Sequence, residues 1–240
     1  MLPTSLHSVN TDSVSKRFRF GSRIVTATGT QSGHMHLHVL RMRIQSTFLK
    51  RAIQFLLLLV PRPFAYWVQD RFPEWCLPEN IVFKKQKEGW DEELDREKAA
   101  YAKLRPIQGI TVPRFYGATA YNDTRAMILS DIGGACVASL EGAVLDEKDF
   151  SQLLYKATMS LTNLGVSHDD SKLDNLHLVT EDGKDKIIMV DLERVDMDLS
   201  EDDFAFAAQS KADFLTRQYR SHLRTLEYDG VLLPKRLLKA

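Results

Sequence analysis

Cysteine is scarce. Cys76 and Cys136 are the only two in 240 residues, they lie far apart, and their spacing is not that of metal ligands. This excludes a multi-bridge disulfide scaffold and a cysteine-based zinc site. It points to reduced thiols and an intracellular, cytoplasmic setting, with a single bridge as the alternative. Charge of one sign is not in excess either: Lys+Arg and Asp+Glu both number 32. A nucleic-acid binder normally carries a basic surplus, so nucleic acid is not an expected partner.

Long apolar runs are also missing. The most hydrophobic stretch, Ala52–Val60 (AIQFLLLLV), is too short to span a bilayer and is closed by Pro61 and Pro63. No integral membrane span is expected. Arg41, Arg43, Lys50 and Arg51 precede the run, which admits a helix lying on a membrane surface, but a buried core helix is the preferred reading. The first eighteen residues contain no apolar stretch of the secretory kind. Internal repeats and low-complexity tracts are absent.

What is present reads as an α+β chain. Residues 1–16 are polar and are expected to be a flexible terminus. RFRF (17–20) and RIVTAT (23–28) are strand-like, Gly29–Gly33 reads as a turn, and His34–Ile44 alternates. His34, His36 and His38 would share one strand face, and they are read as its solvent side rather than as a metal site. Residues 46–63 look helical, and 61–79, rich in proline and aromatics, is expected to be an irregular connector. Ile81–Lys84 reads as a buried strand. Over 90–104, Trp90, Leu94, Tyr101 and Leu104 fall on one helical face. Glu97 shares that face, and a carboxylate there needs a cation such as Lys84 or Lys85.

Strands at Arg114–Tyr121 and Arg125–Asp131 flank a turn at Asn122-Asp123, and Gly133-Gly134 breaks the pattern. A helix over Phe150–Leu164 ends at Gly165, a C-cap residue. A hairpin around Glu181–Gly183 and a helix over Asp202–Arg220 complete the chain.

The chemistry concentrates in GVSHDDSKLDNLHLVTEDGKDKIIMVDLERV, residues 165–195. His168, Asp170, Lys172 and Asn175 form a His-x-Asp-x-Lys-x-x-Asn run, and the apolar strand that follows ends in Asp191. An orienting carboxylate, a cation near a transferring phosphate and oxygen ligands for a hard metal are what phosphoryl transfer requires.

Through Glu97, Ala100, Tyr101 and Leu104, through LSDIGG (129–134), GVSHDDSKLDN (165–175) and MVDLE (189–193), the chain resembles the protein-kinase-like superfamily, and within it small fungal kinase-like proteins. More distantly it is similar to aminoglycoside phosphotransferases and choline kinases. The resemblance covers about residues 79–200. It implies a compact two-lobed fold: an N-lobe over 17–132 with an antiparallel sheet, a helix and an insertion about 46–78, then a reduced, mainly helical C-lobe over 133–240.

It further implies ATP and Mg2+ as cofactors. Asp170 would act as acid-base or orienting carboxylate, and Lys172 would neutralise the transferring phosphate. Asn175 and Asp191 would be metal ligands, and Lys84 would contact the nucleotide phosphates and pair with Glu97. The backbone of Leu129, Ser130, Asp131 and Ile132 would face the adenine. His168 would be a structural loop residue. Matching Ile81-Val82-Phe83-Lys84 to the superfamily's strand pattern favours Lys84 over Lys85.

The departures are specific. Position 169 is Asp rather than Arg, Ser171 and Leu173 replace Leu and Pro, and the metal motif reads Asp191-Leu192-Glu193. Gly29–Gly33 lies about fifty residues before Lys84, too far for the usual phosphate-covering hairpin, and is read as a plain turn. Two functions are therefore expected: a phosphotransferase acting on a protein Ser/Thr or small-molecule hydroxyl, or a pseudokinase that acts through nucleotide binding and interaction.

Overall fold

The computed structural model describes residues 14–31, 38–231 and 235–239. The chain is mixed α+β and divides into two compact units, residues 1–87 with 116–131, and residues 88–115 with 132–240. The helix at 91–103, which the sequence division places in the N-terminal lobe, groups with the second unit.

Unit 1 is built on a six-stranded sheet. Its strands are β1 (Val14–Phe20), β2 (Arg23–Gln31), β3 (Val39–Ile44), β4 (Asn80–Lys85), β5 (Phe115–Tyr121) and β6 (Thr124–Ser130), in the order β1-β2-β3-β4-β6-β5. Alternation puts Phe18, Phe20, Val25, Ala27, Met42, Ile44, Ile81 and Phe83 on one buried face. Asn122 and Asp123, both at positive φ (49° and 58°), make the tight two-residue turn between β5 and β6.

Strand β1 starts at Val14, inside the stretch expected to be flexible, because Val14 pairs with Gly29. The turn expected at Gly29–Gly33 also moves. Gly29 and Thr30 lie within β2, and a Cβ on Gly29 would come 2.0 Å from the Arg41 carbonyl oxygen, so glycine permits β3 to approach. Gly33, His34 and His36 fall outside the described residues.

Between β3 and β4 the chain forms α1 (Phe48–Leu59), α2 (Arg62–Arg71) and α3 (Pro73–Cys76). The expected irregular connector is therefore two short helices, each with proline in its first turn, where the missing N–H costs nothing. The expected buried core helix also fails. Lys50 is the only buried residue of α1, and the helix turns most of its leucines and phenylalanines outward.

Unit 2 contains α4 (Asp91–Lys103), β7 (Ala135–Cys136), α5 (Glu147–Thr162), β8 (Ser167–His168), β9 (Leu176–Glu181), β10 (Lys184–Met189), β11 (Val195–Asp196) and α6 (Phe204–Tyr228). Helices α5 and α6 pack along each other, with Phe150 stacked on Tyr219 at 4.0 Å between ring centroids. The Tyr219 hydroxyl donates to the Leu145 carbonyl at 2.8 Å. Asp146 caps α5 by accepting from the Asp149 N–H, and Gly165 (φ 66°) ends the turn after it. The β9–β10 hairpin turns on Asp182 and Gly183, both at positive φ. Gly134 is glycine because a Cβ there would meet the Leu178 carbonyl oxygen of β9 at 2.4 Å.

Candidate functional site

Residues 168–175 form a loop clamped at both ends within unit 2. At its start, β8 pairs with β11, setting His168 opposite Val195, and the Asp169 N–H donates to the Arg194 carbonyl at 2.9 Å. At its end, the Val190 N–H donates to the Asn175 carbonyl at 2.9 Å. Backbone bonds thus hold the loop to the segment around Asp191–Arg194.

His168 is buried, and its Nε2 lies 3.0 Å from the Val190 carbonyl oxygen. A carbonyl only accepts, so Nε2 carries the hydrogen. Burial pushes the imidazole below its ordinary pKa, which keeps it neutral at physiological pH. His168 fastens the loop to the strand end before Asp191, the structural part the sequence assigned it.

Asp170, Lys172 and Asn175 come together. Lys172 Nζ lies 2.9 Å from Asp170 Oδ2, and Asn175 Nδ2 donates both to that oxygen at 3.1 Å and to the Asp170 carbonyl at 3.0 Å. Burial alone would raise the Asp170 carboxyl, and the nearby Asp191 charge works the same way. The hydrogen bonds from Lys172 and Asn175 prevail and hold it below the usual range, so it is ionised at neutral pH. With Nδ2 committed to Asp170, the amide oxygen of Asn175 is its remaining ligating atom.

Asp191 has φ 62°, a left-handed conformation that is uncommon for a non-glycine residue. Leu192 beside it is fully buried. Asp191, Glu193 and Glu97 each present a carboxylate oxygen, and these atoms all lie within 4.8 Å of one another. Glu97 and Glu193 are buried. Hard oxygen donors at that separation are what a divalent cation such as magnesium takes.

One turn after Glu97 on α4, Tyr101 is fully buried and stacks on Phe115 at 5.6 Å. Its hydroxyl has no hydrogen-bond partner among the described residues. Burial, then the charges of Glu97 and Asp191, push this phenol well above its ordinary pKa, so it stays protonated. Trp90 at the start of α4 lies under the Arg194 guanidinium, 6.0 Å away, which holds the segment after Glu193.

Sequence reasoning did not assign Glu193 or Tyr101 a place in the site. Glu193 enters the sequence reading in MVDLE (189–193) and as a departure from the usual metal motif. Its signal was the i, i+2 spacing from Asp191, with buried Leu192 between. Tyr101 enters the sequence reading as part of the apolar face and of the motif that carries the resemblance.

The remaining expected residues belong to unit 1, except Ile132, the first residue of unit 2 after the break. Lys84 lies on β4 opposite Val39 and Met127 and is buried, whereas Lys85 is half-buried on the alternate face. Leu129 and Ser130 end β6, paired with Val82 and Ile81, and Asp131 follows them. The β2–β3 hairpin is the direct neighbour of β4, although about fifty residues separate Gly33 from Lys84 in sequence. The separation is taken up by α1–α3, which lie outside the ladder.

No helix among the described residues is long and apolar enough to cross a membrane. Comparison of the chain with protein-family models and with curated proteins returns no match.

Proposed function

We propose that the protein is an ATP- and magnesium-dependent phosphotransferase with a two-lobed, kinase-like arrangement. The observation that carries this reading is the loop in which Lys172 and Asn175 hold Asp170 ionised, while backbone bonds tie the same loop to Asp191. Unit 2 then supplies the reacting groups. Asp170 orients the acceptor hydroxyl and takes its proton as the oxygen attacks the γ-phosphorus and the bond to the nucleotide diphosphate breaks. Lys172 neutralises charge on the group in transfer.

The oxygen donors fit magnesium, with Asn175 Oδ1 and Asp191 as ligands and Glu97 and Glu193 beside Asp191. The ion would neutralise phosphate charge. Lys84 would contact the nucleotide phosphates, and the Leu129–Ile132 backbone the base, as the resemblance implies. The neighbouring β2–β3 hairpin supports the reading, because β3 pairs with β4 and sets Val39 opposite Lys84. A groove beside the loop, lined by Asp169, Ser171, Ser210, Lys211, Phe214 and Arg217, offers an acceptor the Arg217 guanidinium, an aromatic wall and the Lys211–Asp169 ion pair.

A second reading, a pseudokinase that binds nucleotide without turnover, is favoured by Glu193 alone. An extra carboxylate against Asp191 strengthens cation binding without adding any group that acts on an acceptor.

Thermal unfolding with and without Mg·ATP tests both. A rise in midpoint that Asp191→Ala abolishes is expected, accompanied by phosphate transfer to a hydroxyl acceptor. Absence of any shift in the parent protein would remove both nucleotide readings, and a shift without transfer would leave the second.

A further inference from the structure

Helix α1 is built inside out. Thr47 caps its first turn by accepting from the Lys50 N–H, which fixes the phase of the helix. The side turned toward the rest of unit 1 then carries Lys50 and Gln54. Lys50 Nζ donates to the Pro78 carbonyl at 3.3 Å and Gln54 Nε2 to the Leu77 carbonyl at 3.5 Å. The side turned outward carries Phe48, Phe55, Leu56, Leu58 and Leu59, with Phe48 89% and Leu58 82% exposed. Helix α2, which follows directly in sequence, also exposes Phe64 and Trp67, both more than half exposed and stacked at 5.7 Å. Isolated exposed leucines are ordinary. So many exposed leucine, phenylalanine and tryptophan side chains on two successive helices mark a surface that is covered in function.

Charge identifies the cover. From Ser13 to Gln69 the sequence holds nine Lys or Arg and not one Asp or Glu, in a chain whose total charge is zero. Arg19, Arg51 and Arg71 are exposed at the helical end of unit 1. Of the carboxylates described nearby, Glu74 is buried and accepts from the Ser22 hydroxyl at 2.8 Å, and Glu79 pairs with Arg43 at 2.5 Å. A second copy of this chain would bring like charge against like. Nucleic acid would satisfy the arginines but leave the aliphatic side chains without a counterpart. An anionic lipid surface satisfies both, with Leu and Phe entering the acyl boundary, Trp67 at headgroup level and the arginines meeting lipid phosphates and carboxylates.

We propose that the outward face of α1 and α2 docks on anionic membranes. This stands apart from the phosphotransferase reading, since it uses none of the groups of unit 2.

The test is co-sedimentation of the whole chain with vesicles of phosphatidylcholine alone or doped with phosphatidylserine. The companion readout is tryptophan emission in the parent and in Trp67→Phe. Sedimentation with phosphatidylserine vesicles only, weakened by salt, with a blue shift that Trp67→Phe removes, is the expected result. The double variant Phe55→Ser/Leu58→Ser changes only exposed side chains and should keep the parent's circular dichroism and melting. Its partition onto the vesicles should fall roughly tenfold or more.

Four results would overturn the proposal: no binding to phosphatidylserine vesicles, binding that the double variant leaves intact, preferential binding of duplex DNA, or a concentration-dependent dimer in the parent that the double variant dissolves.

Discussion

Helices α1 and α4 are mirror cases. α1 is dominated by leucine, isoleucine and phenylalanine, yet its one buried residue is Lys50. α4 reads DEELDREKAAYAK, with more than half its residues charged, yet Leu94, Ala100 and Tyr101 anchor it and its buried charge is Glu97. Composition alone would have ranked them the other way. What separates them is phase. In α4 the apolar side chains recur on one face and the charges on the other, so the helix has one way to sit. In α1 apolar residues occupy nearly the whole circumference, and the capping hydroxyl of Thr47 with two carbonyl acceptors decides which face turns inward.

The contrast is broken most severely at Tyr101 and Leu58. Removing the Tyr101 ring leaves a cavity in a fully buried site that also holds Phe115, so Tyr101→Ala should cost about 3–5 kcal/mol by urea denaturation. Leu58→Ala, on the largely exposed face of α1, should stay within about 0.5 kcal/mol. Equal losses would mean that the two helices contribute alike, and the inversion would be wrong.

Sequence patterns reveal the parts of this architecture whose causes are local. The turns at Asn122-Asp123 and Asp182-Gly183 and the amphipathic period of α4 are set by residues within a few positions of each other, and the structure has them where the pattern puts them; Gly165 is left-handed as expected of a helix-ending glycine, but α5 itself stops at Thr162 and is capped by Asn163. The inward position of Glu97 follows from the same period. What escaped depends on distant partners. Gly29 reads as a turn residue because glycine usually is one, and only the approach of the Arg41 carbonyl explains it inside a strand. The adjacency of the β2–β3 hairpin to Lys84 is hidden by α1–α3, since sheet neighbours are chosen by pairing and not by sequence distance. Glu193 joins Glu97 and Asp191 through a backbone turn at φ 62°, which the i, i+2 spacing from Asp191 does not by itself specify.

A smaller effect separates the polar groups that the site uses from those it merely tolerates. The Tyr101 hydroxyl is buried beside the carboxylates with no hydrogen-bond partner among the described residues. Deleting it as Tyr101→Phe keeps the ring and its stacking and removes a desolvated hydroxyl. Stability should be unchanged or rise by up to about 1 kcal/mol in urea titrations. A loss of similar size would show that the hydroxyl has a partner, and would bring Tyr101 into the carboxylate cluster as a working member.

The finest test lies at Lys50, the buried charge of α1. Burial lowers its pKa and the Arg23 charge lowers it further, against a smaller opposing pull from Glu79. A lysine whose folded pKa is depressed binds fewer protons in the folded chain than in the unfolded one over the interval between the two values. Stability therefore rises with pH across that interval, up to the ordinary lysine value of 10.5. Lys50→Met keeps most of the stem's packing and removes the desolvated charge, at the loss of one hydrogen bond to Pro78. At neutral pH the variant should unfold within about 1 kcal/mol of the parent, on the stabilising side. The parent should then gain on the variant as the medium becomes alkaline. If Lys50→Met instead costs several kcal/mol at neutral pH, the ammonium is a structural keystone of α1. The outward leucines would then be held in place by that one contact with the Pro78 carbonyl rather than by the phase of the helix.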